Sequence, residues 1–213
     1  GLFKRLNQHF YFSCNCLYLN MFDMLRTHIL ERVKITDDEF ALATTFFIPK
    51  KIRRRQFLLQ AGDVCKYVAF VSKGCLRCYS IDEKGEEHIV QFAIEGWWIS
   101  DMKSFLTNQP AIYSIDALED SEVLLIDRTN QDKLCTTVPK CEHYFKLLME
   151  TSNSTASIRI ADLIGTSAEN RYLTFLNNYP EIVQRVPQNQ IASYLGIAPQ
   201  SLSRIRKELS EKK

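Results

Sequence analysis

Gln188-Asn-Gln-Ile-Ala-Ser-Tyr-Leu-Gly-Ile-Ala-Pro-Gln-Ser-Leu-Ser-Arg-Ile-Arg-Lys207 is the stretch on which the fold of this chain turns. Ile191 and Leu195, four residues apart, fall on one face of a short helix. Gly196 follows directly, where a tight turn between helices takes a left-handed residue without a Cβ penalty. Pro199 then stands where a second helix would start, and its missing N–H costs nothing there. Leu202, Ile205 and Leu209 continue the apolar stripe at three- and four-residue spacing, and Ala192 is small where two helices must approach closely. The pattern predicts a helix-turn-helix rather than a plain helical hairpin. The outer face of its second helix would present Gln200, Ser201, Arg204 and Lys207, side chains that bond base edges and phosphates. Asn189 and Pro199 complete the candidate contact set.

The charge distribution agrees in sign. Net charge is +2 over 213 residues, but it is uneven. From Ser167 onward seven lysines and arginines face four acids, whereas the remainder holds twenty basic against twenty-one acidic side chains. A mildly positive C-terminal module on a near-neutral body fits a small DNA reader attached to something else. Apolar content of 46% and charged content of 24% are those of a globular protein with one large or two modest domains. The seven cysteines are Cys14, Cys16, Cys65, Cys75, Cys78, Cys135 and Cys141. Their odd number, with no secretory signal or membrane span in view, predicts reduced thiols and a cytoplasmic location without membrane contact. Cys75 and Cys78 form a C-x-x-C, but in a strand residues three apart point to opposite faces, which argues against a shared metal. No cofactor and no metal are expected. His9, His28, His88 and His143 are scattered, and the sequence holds no glycine-rich phosphate loop or nucleophile–base spacing, so no enzyme is predicted.

Upstream, the chain changes period twice. Gly62, Gly74, Gly85 and Gly96 recur at eleven- to twelve-residue intervals. Tyr67–Ser72, Cys75–Ile81 and His88–Ala93 lie between them and are rich in aromatic and β-branched residues, and two more strands are expected near Ala111–Leu118 and Glu122–Asp127. Asp82-Glu83-Lys84-Gly85 reads as a hairpin connection. The spacing predicts a β-roll domain over 21–138 that opens with helices. Phe22, Leu25, Ile29, Leu30 and Val33 mark one helical face, and Thr36-Asp37-Asp38-Glu39 opens a short helix to Thr44. Lys50-Lys51-Ile52-Arg53-Arg54-Arg55, ahead of a strand at Gln56–Gln60, reads as a solvated edge, with a secondary phosphate contact as the functional alternative. Residues 1–20 show no period and are expected to be an appendage, the working protein beginning near Met21 or Met24.

From 139 to 165 the pattern is helical. Tyr144, Leu148, Thr151, Thr155, Ile158 and Asp162 share a seam, which predicts pairing with a twin, although Thr151 to Thr155 is polar for a dimer interface. Gly165 ends that helix, Thr166-Ser167-Ala168-Glu169 opens the next with a capping-box pattern, and 166–213 is the helix-turn-helix domain.

A glycine-punctuated β-roll, one long helix and a C-terminal helix-turn-helix together resemble the Crp/Fnr family of bacterial transcription regulators, from roughly Met21 onward. Gly62-Asp63, Tyr67 to Gly74 and Asp82 to Glu86 are similar to that family's strand and turn signatures, and Ile191 to Lys207 to its reading head. The resemblance implies an α+β chain: a cyclic-nucleotide-binding-like jelly roll, a long dimerisation helix and a winged-helix/helix-turn-helix domain. It also implies a homodimer on a palindromic double-stranded DNA operator, one recognition helix in each major groove, with RNA polymerase as a further partner.

Effector binding is where the chain departs from that pattern. Family members that take cyclic nucleotides hold the phosphate with a Gly-Glu pair opening a short helix and an Arg-Ser or Arg-Thr pair entering the next strand. An anionic phosphate needs helix N–H groups and an arginine fork. Here Ser100-Asp101 and Ala111-Ile112 stand at those places, and no arginine lies between Arg77 and Arg128. Losing the cation leaves a phosphate uncompensated at a cost of several kcal/mol, so neither cyclic AMP nor cyclic GMP is the expected effector. Trp98, Ser100, Asp101, Ala111, Ile112 and Tyr113, with Ser157 from the long helix, are candidate lining for some other small-molecule effector. Core packing is the competing reading for the aromatics. A sensor acting through protein contacts rather than DNA is the alternative function, and Arg204, Arg206 and Lys207 favour DNA.

Overall fold

The computed structural model describes residues 21–211; the expected appendage at 1–20, with Cys14 and Cys16, lies outside the described residues. Residues 21–30 form helix α1, and α2 spans Asp37–Thr44. The start of α2 follows from its sequence: the Thr36 hydroxyl accepts the Glu39 N–H at 3.2 Å and the Glu39 carboxylate accepts the Thr36 N–H at 2.8 Å. The strands are β1 (Ile48–Ile52), β2 (Phe57–Leu59), β3 (Tyr67–Lys73), β4 (Leu76–Ile81), β5 (Glu87–Ala93), β6 (Trp98–Ile99), β7 (Ser114–Ala117) and β8 (Ser121–Asp127). Helix α3 (Met102–Thr107) lies between β6 and β7. After β8 the described residues hold helices only: α4 (Arg128–Thr137), α5 (Lys140–Gly165), α6 (Ala168–Asn178), α7 (Pro180–Arg185), α8 (Gln188–Leu195) and α9 (Pro199–Glu211). The strands of a wing are not among them.

Two antiparallel four-stranded sheets make the roll, one ordered β1-β8-β3-β6 and the other β2-β7-β4-β5. Phe70, Leu124 and Ile126 of the first sheet share a core with Leu76, Cys78 and Ile115 of the second. Val68, Ala69, Phe70 and Val71 are all buried, so β3 is covered at both of its alternating sets of positions. The second cover is helical: Met21, Leu25 and Ile29 of α1 join the core, the His28 ring lies 5.4 Å from Phe70, and Trp98 donates through Nε1 to the Tyr144 hydroxyl of α5 at 3.0 Å. Gly74 shows why glycine punctuates the roll. Its φ is +100°, and a Cβ there would stand 2.2 Å from the Ser121 hydroxyl oxygen.

The structure corrects several expectations. The basic run does not merely precede a strand: Lys50, Lys51 and Ile52 pair with Val123, Glu122 and Ser121 in the edge strand β1, and only Arg53 to Arg55 turn away, exposed. Ser167, not Thr166, caps α6, accepting the Asn170 N–H at 3.2 Å. On α5 the expected seam fails at its start, because Tyr144 is 1% exposed inside the roll's own core and Leu148 packs against it. The apolar side chains that α5 leaves open include Met149, Ile158, Ile160 and Ile164. Met149, Ile160 and Ile164, with Ala156, follow spacings of seven, four and four and so form one stripe; Ile158 falls on the other side of the helix.

Candidate nucleic-acid interface and effector cassette

The reading head is built on a second buried cluster. Tyr172 and Phe175 of α6, Ile182 of α7, Ile191, Ala192 and Leu195 of α8 and Leu202 and Ile205 of α9 share it, with Val186 and Ile197 from the connections. Gly196 has a φ of +62° and its N–H returns to the α8 carbonyls, so the left-handed turn stands where the sequence requires it. Leu163 crowds the same position, its Cδ2 lying 2.9 Å from where a Cβ would be, so a side chain there would push it aside. Pro199 opens α9.

Burying Leu202 and Ile205 turns the other face of α9 outward. Pro199, Gln200, Arg204 and Lys207 are exposed there, Ser201 is half-buried on the flank, and Asn189 is exposed in the first turn of α8. Among the described residues, Arg204 and Lys207 have loose partners in Glu208 and Glu211, each at 3.9 Å on the same helix. Exposed pairs of that spacing contribute a few tenths of a kcal/mol, so a phosphate or a guanine edge competes with them readily.

The effector cassette is arranged differently from a phosphate site. Asp101 is 2% exposed and caps α3. One carboxylate oxygen accepts the Ser104 N–H at 3.0 Å; the other accepts the Ile112 N–H at 3.0 Å and the Tyr113 N–H at 3.4 Å. Both the helix start and the following segment are thus liganded by an anion that belongs to the chain. Ser100 bonds inward, to the Tyr67 carbonyl and the Cys65 thiol, each at 3.3 Å. Trp98 packs, tilted or edge-on, among Phe70, Phe145 and Tyr144, Ala111 is buried, Ile112 is exposed and Tyr113 packs on the core. Ser157 is exposed on α5. The residues read as pocket lining therefore divide between core and surface. Cys75 and Cys78 also part company, Cys75 in the cluster under the reading head and Cys78 in the roll core, where burial pushes each thiol up to about 12.

Sequence reasoning missed the residues that join the two parts. Arg185 on α7 lies between Glu95 and Glu119, with Nη1 2.7 Å from one and Nε 3.0 Å from the other. Burial opposes charge on Glu95, yet the Arg185 hydrogen bonds hold its carboxyl below the usual range. The Ser193 hydroxyl accepts the Ile89 N–H at 2.9 Å and donates to the Glu87 carbonyl at 3.1 Å. Arg159 of α5 donates to the carbonyls of Ile89, Val90 and Tyr194 and lies 4.0 Å over the Tyr194 ring. These groups are far apart in sequence and carry no motif; only the fold brings them together.

A jelly roll joined through a long helix to an outward-facing helix-turn-helix defines a two-part regulator. Residues 49–137 match the family model of the cyclic nucleotide-binding domain. The chain is 27% identical over 169 residues to the regulatory protein HlyX of Actinobacillus pleuropneumoniae, covering 73% of this chain and 69% of that one. It is 26% identical over 169 residues to the transcriptional activator protein Anr of Pseudomonas protegens, covering 73% and 68%. Among solved structures its fold is similar to FixK2 from Bradyrhizobium japonicum, with a TM-score of 0.67 at 18% identity over 78% of this chain and 85% of that one. The regulator CLP of Xanthomonas campestris gives a TM-score of 0.67 at 12% identity, over 83% and 93%. The chain is thus similar over most of its length to named transcription regulators, and residues 49–137 carry the cyclic nucleotide-binding domain. No helix among the described residues is long and apolar enough to cross a membrane.

Proposed function

We propose that this chain is a homodimeric, sequence-specific DNA-binding transcription regulator whose roll does not take cyclic nucleotides. The observation that carries it is the division of α9: Leu202 and Ile205 buried, Gln200, Arg204 and Lys207 outward. Arg204 reads a base edge, Gln200 and Ser201 set neighbouring contacts, and Lys207 holds a phosphate. Two copies join through the stripe Met149, Ala156, Ile160 and Ile164, which the single chain leaves open. Asp101 already occupies the N–H groups of Ser104, Ile112 and Tyr113, and the stretch between Arg77 and Arg128 supplies no arginine to offset a second negative charge.

Duplex binding measured across salt concentrations separates this function from a sensor that works through protein contacts alone. The logarithm of affinity should fall linearly with the logarithm of salt, and Lys207→Ala should weaken all duplexes alike while lowering the slope by about one. Binding that is absent or indifferent to salt would instead favour the protein-contact sensor.

A further inference from the structure

The reading head is not merely tethered to the roll; it is docked on an open sheet edge. β5 is the last strand of its sheet, so half its backbone groups have no strand partner. Ser193 takes the Ile89 N–H and the Glu87 carbonyl, and Arg159 takes the carbonyls of Ile89 and Val90. Those contacts end the sheet with α8 and α5. Phe92 of β5 meets Tyr194 at 5.4 Å, and Trp97 meets Tyr179 at 5.4 Å. At the far side Arg185 is locked between Glu95 and Glu119, which sit in two separate turns of the roll. The contacts reach α5, α7 and α8 at once, so rotation about the connection at Gly165 to Ser167 would break several together.

We infer that this junction acts as a ruler: it fixes each recognition helix relative to α5, and so sets the one half-site spacing that the dimer accepts. The inference rests on the DNA-reading function proposed above. The apolar cluster supplies the adhesion, but it is non-directional. The direction comes from the Arg185 fork on two carboxylates and from Ser193 and Arg159 on fixed backbone groups. Arg185, Ser193 and Arg159 are therefore positioning residues. None lies on the outward face of α9.

The test uses the full-length protein and the duplex it enriches from a randomised library, with versions lengthened or shortened by one base pair between half-sites and one version with a single half-site. Each base pair turns one half-site by about a tenth of a helical turn relative to the other, so wild-type affinity should fall about tenfold or more. Arg185→Gln should bind the single half-site within about twofold of wild type, yet discriminate spacings by about threefold or less. Glu95→Gln with Glu119→Gln should do the same from the roll side, and serves where Arg185→Gln does not fold. Full spacing discrimination in a folded variant would overturn the ruler. So would tighter binding of every duplex, which would make the junction a brake, or equal losses on single and paired half-sites, which would make it a fold support. If the wild type enriches no duplex at all, the DNA-reading function itself falls, and the ruler with it.

Discussion

Asp101, at the start of α3, is the side chain on which the chemistry of the effector cassette turns. From the sequence it is an acid where a phosphate-binding cassette carries Glu, and the neighbouring arginine is missing. The structure adds that its carboxylate takes the N–H groups of Ser104, Ile112 and Tyr113 for itself. Asp101→Ala should leave the buried Ser104 N–H and the half-buried Ile112 and Tyr113 N–H groups without this acceptor and lower stability by about 1–3 kcal/mol, read as a lower midpoint in thermal unfolding. It should not create a cyclic nucleotide site, because removing an anion does not supply a cation. Calorimetry with cyclic AMP should give no binding heat for wild type or variant; low-micromolar binding by either would contradict the self-liganded cassette. The absent arginine was legible because a missing residue type can be counted. The inward turn of Trp98 was not, because a tryptophan beside a cassette suits a pocket wall and a core equally well until its neighbours Phe70, Tyr144 and Phe145 are known.

Among the elements, α5 is where periodicity misled. Its apolar residues fit two stripes, and the choice between them depends on which stripe the roll covers. Tyr144 and Leu148 go to the roll, and the stripe through Met149, Ile160 and Ile164 is left. Ile160 is 59% and Ile164 84% exposed in the single chain, so Ile160→Glu with Ile164→Glu should not disturb the monomer's fold. The wild type should sediment as a dimer at micromolar concentration and the double variant as a monomer; an unchanged sedimentation profile would remove this face from the interface. The anchoring of α1 on α5 makes a second prediction. The His28 Nδ1 lies 2.6 Å from the Tyr144 hydroxyl, and burial first, then Arg32, lowers its pKa from 6.5 to about 4, with Glu31 opposing. As pH falls, the unfolded chain takes the proton first, so stability held in full above about 6.5 is lost progressively down to about 4. The urea midpoint should therefore drop between about pH 7.5 and about pH 5, and His28→Gln should flatten that change. An equal drop in the variant would place the titrating group elsewhere.

At the scale of the whole molecule the broad plan was legible and the docking was not. Turn glycines at regular intervals gave the roll, and Gly196 with Pro199 gave the reading head, because both features answer to local backbone geometry. The short helix α7 and the Arg185, Ser193 and Arg159 contacts escaped, because they join residues 35 to 106 positions apart and depend on which sheet edge is left open. What the molecule does depends on whether the outward face of α9 reads sequence. Selection of duplexes from a randomised library by the wild type and by Arg204→Ala measures this directly. The wild type should enrich an inverted repeat with half-site centres about 10 bp or a multiple apart. Arg204→Ala should enrich the same repeat with one position per half-site relaxed, a discrimination loss of about 1–3 kcal/mol. No enriched sequence, or a preference that Arg204→Ala leaves unchanged, would contradict a base-reading role for this helix.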